Sequence, residues 1–128
     1  MPEKSVLLLD TSFLVDYEAE LVANRIGPAR RLLRSRPGEP VGISIISLGE
    51  FAEGFENFHD VEAFLSRFRV IGLSRSIAYK VAAMQSRLPQ RLGENDAWIA
   101  ATALAYQAEL AGRERAFARV PRLKYTAI

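Results

Sequence analysis

The chain has 128 residues, a single histidine and no cysteine, and its 17 Lys and Arg residues exceed its 15 Asp and Glu residues by two. This length is typical of one domain, so we expect residues 1–128 to form a single unit that folds without disulfide bonds. Without cysteine, thiolate metal sites and cysteine nucleophiles are excluded, and a lone histidine argues against zinc and serine-histidine chemistry. His59 is assigned no role.

No segment approaches the roughly 20 apolar residues that a membrane span needs. The first residues also lack the charged, apolar and small-residue order of a signal peptide. We therefore expect a cytoplasmic protein that does not enter a membrane.

The segment from Val6 to Leu9 is a continuous apolar run that ends at Asp10. Such runs are typical of parallel strands covered by helices on both faces, and ligands of these sheets bind beyond the carboxyl ends of the strands. Asp10 therefore lies where a site is expected. An equally weighted alternative is that Asp10 only caps a helix that starts near Ser12.

The rest of the chain alternates between helical and strand patterns. The predicted elements are helices over 13–26 and from 28 to about 34, a strand over 41–47, a short helix capped by Asp60, a strand over 69–73, a helix with 77, 81, 84 and 88 on one face, a helix from 96 to about 107, a weak strand over 108–111, a turn over 112–117 and an edge strand over 123–128. This alternation predicts an α/β fold, a three-layer α/β/α sandwich with a mainly parallel central sheet.

Four acidic residues fall at comparable places in this pattern. Asp10 follows the first strand, Glu50 opens the helix after the second, and two more acids lie further along, Asp96 at the start of the buried helix and Glu114 after the weak strand. In a parallel sheet all four lie at one edge, where their carboxylates repel one another unless a cation neutralises them. Oxygen ligands suit Mg²⁺ or Mn²⁺, and the chemistry that follows is metal-assisted phosphodiester hydrolysis.

Glu50 also has a structural interpretation. Ser47 is a good helix N-cap, and Glu50 stands three residues later, which is the spacing of a capping box. Both roles stay open for Glu50 on the sequence alone.

Basic residues are concentrated in two segments. One holds Arg30, Arg31, Arg34 and Arg36, and the other holds Arg113, Arg115, Arg119, Arg122 and Lys124. Basic patches around an acidic site would suit a polyanionic substrate. Solvated helix faces are an equally good explanation for either patch alone.

Four segments resemble the motifs of PIN-domain ribonucleases, in the order of that family: residues 7–12 (LLLDTS), 47–50 (SLGE), 93–101 (GENDAWIAA) and 113–121 (RERAFARVP). More narrowly, they are similar to the VapC toxins of VapBC toxin-antitoxin pairs. The resemblance implies a ribonuclease in which Asp10, Glu50 and Asp96 bind the metal and Glu114 holds the fourth acidic position. It also implies that Thr11 or Ser12 orients the first carboxylate or a water bound to the metal.

The family more often has Asp or Asn at the fourth position, so a glutamate between two arginines is a departure. We interpret Asp16 as structural.

The same resemblance implies partners. A VapC-like toxin is a homodimer that cuts RNA and is inhibited by a small VapB-like antitoxin. A rival interpretation is a non-catalytic PIN-like module that binds RNA or protein, because a fold does not establish activity. A receiver domain is disfavoured, since its third strand would end in a phosphoacceptor aspartate and here Leu73, Ser74 and Arg75 follow.

Overall fold

The central strand of the sheet is a run of three leucines. The computed structural model describes residues 6–128, and its first strand, β1 (Leu7–Leu9), has no exposed side chain. Residues 1–5, which the single-domain expectation includes, lie outside the described residues. Strand β1 is covered on both faces because its leucines alternate between two cores. Leu7 and Leu9 face one cluster and Leu8 faces the other.

The elements that follow β1 alternate between helices and strands. They are α1 (Thr11–Val22), α2 (Pro28–Arg34), β2 (Val41–Ser44), α3 (Ile45–Ala52), α4 (Phe58–Leu65), β3 (Arg69–Ile71), α5 (Arg75–Arg87), α6 (Glu94–Ala105), β4 (Glu109–Gly112), a 3₁₀ helix (Arg115–Arg119) and β5 (Tyr125–Ala127). All strand pairs are parallel, in the order β3-β2-β1-β4-β5. The predicted parallel α/β sandwich and its edge strand are confirmed.

The pairing register brings β1 level with its two neighbours. Leu9 pairs with Ile43 of β2 and with Ala111 of β4, so the three strands end together. Helices α1 to α4 cover one face and α5, α6 and the 3₁₀ helix cover the other. Residues that follow β1, β2 and β4 consequently share one edge of the sheet. Among residues 6–128, no helix is both long and apolar enough to cross a membrane.

Several predicted boundaries were wrong. The second strand ends at Ser44, which caps α3 by accepting a hydrogen bond from the Ile46 amide, so Ser47 lies inside the helix and caps nothing. Asn57 caps α4, and Asp60 lies in its first turn. Short side-chain oxygens are interchangeable as caps, and only the folded chain decides which one sits at the helix start.

The helix and strand ends differ for similar reasons. Helix α1 ends at Val22, four residues before the predicted end, and Asn24 beyond it has a positive φ. Helix α6 covers Glu94–Ala105 and places Asp96 at its third position. Strand β4 is shifted by one residue to end at Gly112. The predicted turn over 112–117 overlaps a 3₁₀ helix that continues to Arg119, and β5 is limited to three residues.

An ion pair between the partly exposed Arg36 and the buried Glu109 holds the opposite edge of the sheet together. The Arg36 guanidinium donates to both carboxylate oxygens of Glu109 at 2.9 Å each, and the Thr126 hydroxyl donates to the same carboxylate. Glu109 is 6% exposed. The Arg36 hydrogen bonds outweigh the opposing effect of burial and lower the pKa of Glu109 to about 2. This pair joins the loop before β2 to the start of β4.

We predict that Glu109→Gln lowers the free energy of unfolding at pH 7 by about 1.5–3 kcal/mol, because it removes charged hydrogen bonds from a buried site. The pKa of Glu109 is lowered from 4.5 to about 2 on folding, so its stabilisation is complete above pH 4.5 and is lost as pH falls toward 2. Urea denaturation of both proteins between pH 7 and pH 2 measures the difference. Glu39→Gln, which removes a partly exposed partner of the same arginine at 3.4 Å, is the control and should cost less than about 1 kcal/mol. Equal losses would contradict the prediction.

Candidate active site

Asp10 caps α1 and also lies at the edge of the sheet that carries the four predicted acids, which we call the acidic edge. A capping role and a place in the site are therefore compatible for this residue. Its Oδ1 accepts hydrogen bonds from the Phe13 amide at 2.8 Å and from the Ser12 hydroxyl at 2.6 Å. Ser12 in turn accepts the Arg113 amide at 2.8 Å. Asp10 is 2% exposed, and burial raises the pKa of its carboxyl more than these hydrogen bonds lower it. The Asp10 side chain is therefore held by α1 directly and by the residue after β4 through Ser12.

The Asp10 carboxylate lies directly against the backbone of β4. A Cβ atom added to Gly112 would be 1.9 Å from Oδ1 and 2.0 Å from Oδ2 of Asp10. Gly112 ends β4, and the Asp10 amide donates to the carbonyl of Ala111 before it. Only glycine at this position leaves room for the carboxylate.

Tyr125 connects the first acid to the fourth. Its hydroxyl donates to Oδ2 of Asp10 at 2.9 Å and accepts the Glu114 amide at 2.8 Å. Burial raises the pKa of Tyr125 well above its usual value, and the Asp10 carboxylate raises it further. The hydroxyl therefore remains a donor throughout the neutral range. The edge strand β5 supplies this contact, which no motif in the sequence indicates.

Glu50 lies in the second half of α3, so the alternative that it forms a capping box with Ser47 is wrong. Its Oε1 accepts the Thr11 hydroxyl at 2.5 Å, and its Oε2 accepts the Asn95 side-chain amide at 3.1 Å. Thr11 thus contacts the second acid and not the first. Helices α1, α3 and α6 meet at this carboxylate, which is half-buried.

Asp96 lies at the third position of α6 and is half-buried. Burial raises the pKa of its carboxyl, and the negative charges of Glu114, Glu50 and Asp10, in that order, raise it further. A helix N-terminus favours a negative charge, so the position is structurally suitable as well. The three other acids acting on Asp96 show that the topology brings all four predicted acids into one electrostatic neighbourhood.

Glu114 is exposed and caps the 3₁₀ helix, where its Oε1 accepts the Ala116 amide at 3.1 Å. The arginine before it pairs elsewhere: Arg113 makes a bidentate ion pair with Asp16, at 3.0 Å for both contacts. Asp16, which we interpret as structural, is therefore the ion-pair partner of Arg113. Among residues 6–128, Glu114 makes no ion pair.

The four carboxylates do not form a closed cage. Within the described part of the chain, no three His, Cys, Asp or Glu side chains converge closely enough to hold a metal ion by themselves. Their donor set is oxygen alone, and their mutual repulsion is what a bound cation would relieve. Mg²⁺ keeps several waters and binds through one or two carboxylates, so an open set of this kind fits it chemically.

Three residues that support the acids were missed by the sequence interpretation. Asn95 lies within a motif that was identified, but no spacing rule links it to Glu50. Gly112 follows an apolar strand, and an isolated glycine there is a signal for close approach of a side chain. Tyr125 gives no local signal, because its role depends on the long crossover from β4 to β5.

Sequence comparison assigns the chain to a known family. The profile of the PIN domain matches residues 7–123, which include every residue of the site except Tyr125. The chain belongs to the PIN-domain family. No curated protein matches the sequence significantly.

Solved structures of toxin-antitoxin proteins have a similar fold. A toxin-antitoxin complex from Klebsiella pneumoniae contains a chain that is 30% identical, with a TM-score of 0.71 and coverage of 91% of this chain and 94% of that one. DNA-bound VapBC from Salmonella typhimurium matches at 22% identity, with a TM-score of 0.80 and coverage of 96% and 98%. VapC20 of Mycobacterium tuberculosis, described as a Sarcin-Ricin loop cleaving toxin, matches at 20% identity, with a TM-score of 0.64 and coverage of 88% and 92%.

We predict that Gly112→Ala leaves this PIN domain folded but displaces the Asp10 carboxylate and breaks its hydrogen bond with Tyr125. Overpacking of this kind costs about 1–3 kcal/mol. Urea denaturation measures the cost, and a crystal structure of the variant locates the carboxylate. Gly49→Ala is the matched control, because nothing lies within 4 Å of its added Cβ. Inside helix α3 that change should instead stabilise by about 0.5–1 kcal/mol. A Gly112→Ala protein with wild-type stability and Asp10 in place would refute the steric argument.

Proposed function

We propose that this PIN domain is a metal-dependent endoribonuclease of the VapC toxin type, which hydrolyses phosphodiester bonds of RNA. The observation that carries the proposal is the placement of four carboxylates at the carboxyl edge of the sheet, where Tyr125 links Asp10 to Glu114 and Asn95 links Glu50 to the start of α6. Burial and the negative charges of the other three acids raise the pKa of Asp96 there. A fold maintains such repulsion at a cost in stability, and perturbed carboxylates at the carboxyl edge of a parallel sheet are typical of functional sites.

Asp10, Glu50, Asp96 and Glu114 are the residues that would hold the divalent cation, Mg²⁺ or Mn²⁺. The chemistry that such a cation supplies when bound is activation of water and neutralisation of charge on phosphorus oxygens. The other residues of the site position these ligands. Ser12 and Tyr125 fix Asp10 from two sides, and Thr11 and Asn95 fix Glu50.

RNA is the proposed substrate because the chain belongs to the PIN-domain family and carries an oxygen-rich acidic edge. The cleaving toxin from M. tuberculosis supports this assignment through its fold. The basic residues on the 3₁₀ helix, Arg115 and Arg119, are exposed beside the acidic edge and can neutralise phosphates of the chain that is cut.

We also propose that the protein acts as one half of a toxin-antitoxin pair, is inhibited by a VapB-like protein and forms a homodimer. The support is that its solved neighbours come from VapBC and other toxin-antitoxin complexes. Copurification of the chain with a small coexpressed protein would test the first point. Light scattering of the free chain would test the dimer.

We predict that Asp96→Asn and Asp10→Asn each reduce RNA cleavage to near the detection limit, because each removes a metal-binding charge at almost unchanged side-chain volume. Cleavage of a labelled RNA is measured with Mg²⁺, with Mn²⁺ and with EDTA. Asp60→Asn, at an exposed position in the first turn of α4, removes the same charge away from the site and should leave cleavage unchanged. If wild type binds RNA but does not cleave it with either metal, the protein is a binding module and not a nuclease.

Asp96→Asn should not unfold the protein, and its stability separates loss of chemistry from loss of structure. The pKa of Asp96 is raised in the folded state, so the wild-type fold is most stable relative to the variant below about pH 3.8 and loses that advantage as pH rises. At pH 7 in EDTA the variant should therefore melt at or above the wild-type temperature. Melting well below it would mean that the loss of cleavage is structural.

Glu114→Gln should weaken cleavage less than Asp96→Asn does. Glutamine keeps an oxygen for the Ala116 amide and loses only the charge. Residues that support metal ligands typically cost about 10- to 100-fold in metal affinity or activity when changed. A Mg²⁺ titration of cleavage measures the effect, with the midpoint expected to move to higher concentration. A curve superimposable on wild type would remove Glu114 from the site and leave three acids.

A further inference from the structure

A cleft lies at the edge of the sheet opposite the four acids. It is a cleft of about 1120 Å³ formed by the loop before β2, the second half of α5, the end of α6 and the segment before β5. Its apolar wall includes Met84, Leu104 and Pro121. The cleft is as large as pockets that bind organic ligands, and nothing in the proposed nuclease chemistry uses it.

The charges around this cleft are mostly positive. Five cationic side chains and two acidic ones line it; the cations are Arg36, Lys80, Arg87, Arg122 and Lys124. Arg36 forms ion pairs with both acids, Glu39 and Glu109, and the Lys124 ammonium lies 3.5 Å from the Glu109 carboxylate. Lys80, Arg87 and Arg122 make no ion pair with any residue between 6 and 128. Three positive charges therefore remain for a ligand.

Arg122 is held over the cleft by a turn that is unfavourable for its residue type. Its φ is 68°, in the left-handed region, and the Leu123 amide donates to the carbonyl of Val120 at 3.3 Å across Pro121-Arg122. A turn with proline first and a positive φ second normally has glycine at the second position. Arg122 is exposed and makes no ion pair within the described chain. A backbone cost at an exposed side chain that makes no ion pair is typical of functional positions.

An exposed aromatic ring continues the cleft along α5. Tyr79 is 69% exposed, and it lines a shallow depression together with Arg75, Lys80 and Ala83, the last two of which also line the cleft. Cationic side chains beside an exposed aromatic face are what single-stranded nucleic acids bind, through phosphates and stacked bases. An acidic peptide would use the cations but would leave the ring and the apolar wall without a partner.

We propose that this cleft, together with Tyr79, binds a segment of single-stranded RNA outside the cleavage site. This inference rests on the proposed function, because only that proposal makes RNA the substrate. The 3₁₀ helix links the two sites, because the connection from β4 to β5 runs from the acidic edge back to the amino ends of the strands. Arg115 and Arg119 are exposed along that connection. A bound RNA would thus extend from the acids, along the 3₁₀ helix, to the cleft.

The test is RNA binding without cleavage. The full chain carrying Asp96→Asn is titrated in EDTA against a fluorescent single-stranded RNA of about 20 nucleotides, longer than one site usually spans. In this background, Arg87→Glu with Arg122→Glu should weaken affinity at least about 10-fold. It should also make the slope of log affinity against log salt shallower by about 1.4, since each lost phosphate contact accounts for about 0.7. Arg34→Glu with Arg69→Glu changes the net charge equally at residues that do not line the cleft, and it should change affinity by no more than about 2-fold.

Two single variants separate binding from folding. Arg122→Gly relieves the positive φ, so it should raise the melting temperature while still weakening RNA binding. Tyr79→Ala should weaken binding by about 5-fold or more, whereas Tyr79→Phe keeps the ring and should bind as before.

Equal affinities for the cleft variant and its charge-matched control would overturn the proposal. So would loss of polyglutamate binding in the cleft variant with RNA binding intact, because that result assigns the cleft to an acidic protein segment. A different result would show that the proposed function has failed. The wild-type protein would then cleave no RNA with Mg²⁺ or Mn²⁺, while RNA binding in EDTA would still depend on Arg87 and Arg122.

Discussion

Repulsion among four carboxylates at one edge of the sheet is the constraint on which the site depends. Each acid is placed there by an independent structural reason: Asp10 and Glu114 cap helices, Asp96 lies in the first turn of α6, and Glu50 is carried by α3. Parallel pairing of the strands then brings these positions together even though their negative charges repel one another. A bound cation would convert this unfavourable arrangement into a favourable one, which couples occupancy of the site to the stability of the fold.

The protein limits the repulsion unevenly. Asp10 accepts three hydrogen bonds and Glu50 accepts two, so these carboxylates are held in place with their charge partly compensated. Asp96 lacks comparable donors within the described chain and is left for an external partner. Fixed carboxylates beside an uncompensated one would suit the proposed small hard cation, because only the last carboxylate would need to gain a partner when an ion binds.

The parts of this structure that could be predicted from sequence are those that local periodicity determines. The leucine run of β1, the alternation of elements and the placement of acids after strands all follow from short segments. What could not be predicted depends on distant residues. Ser44 rather than Ser47 caps α3 because β2 stops where its pairing with β1 and β3 stops. Tyr125 reaches Asp10 across 115 positions of sequence, and its role follows only from the packing of β5 beside β4.

The position of β1 at the centre of the sheet also governs when the site is assembled during synthesis. Strand β1 emerges early, but its partner on one side is β4, and Asp10 is packed against Gly112 and bonded to Tyr125. Pairings of such long sequence separation form late, after the entropy of closing a large loop has been overcome. A nascent chain therefore holds Asp10 and Glu50 without a completed acidic edge until residues 109–127 have left the ribosome. For an enzyme that acts on RNA, this order of assembly would keep a partly synthesised chain inactive beside the message that encodes it.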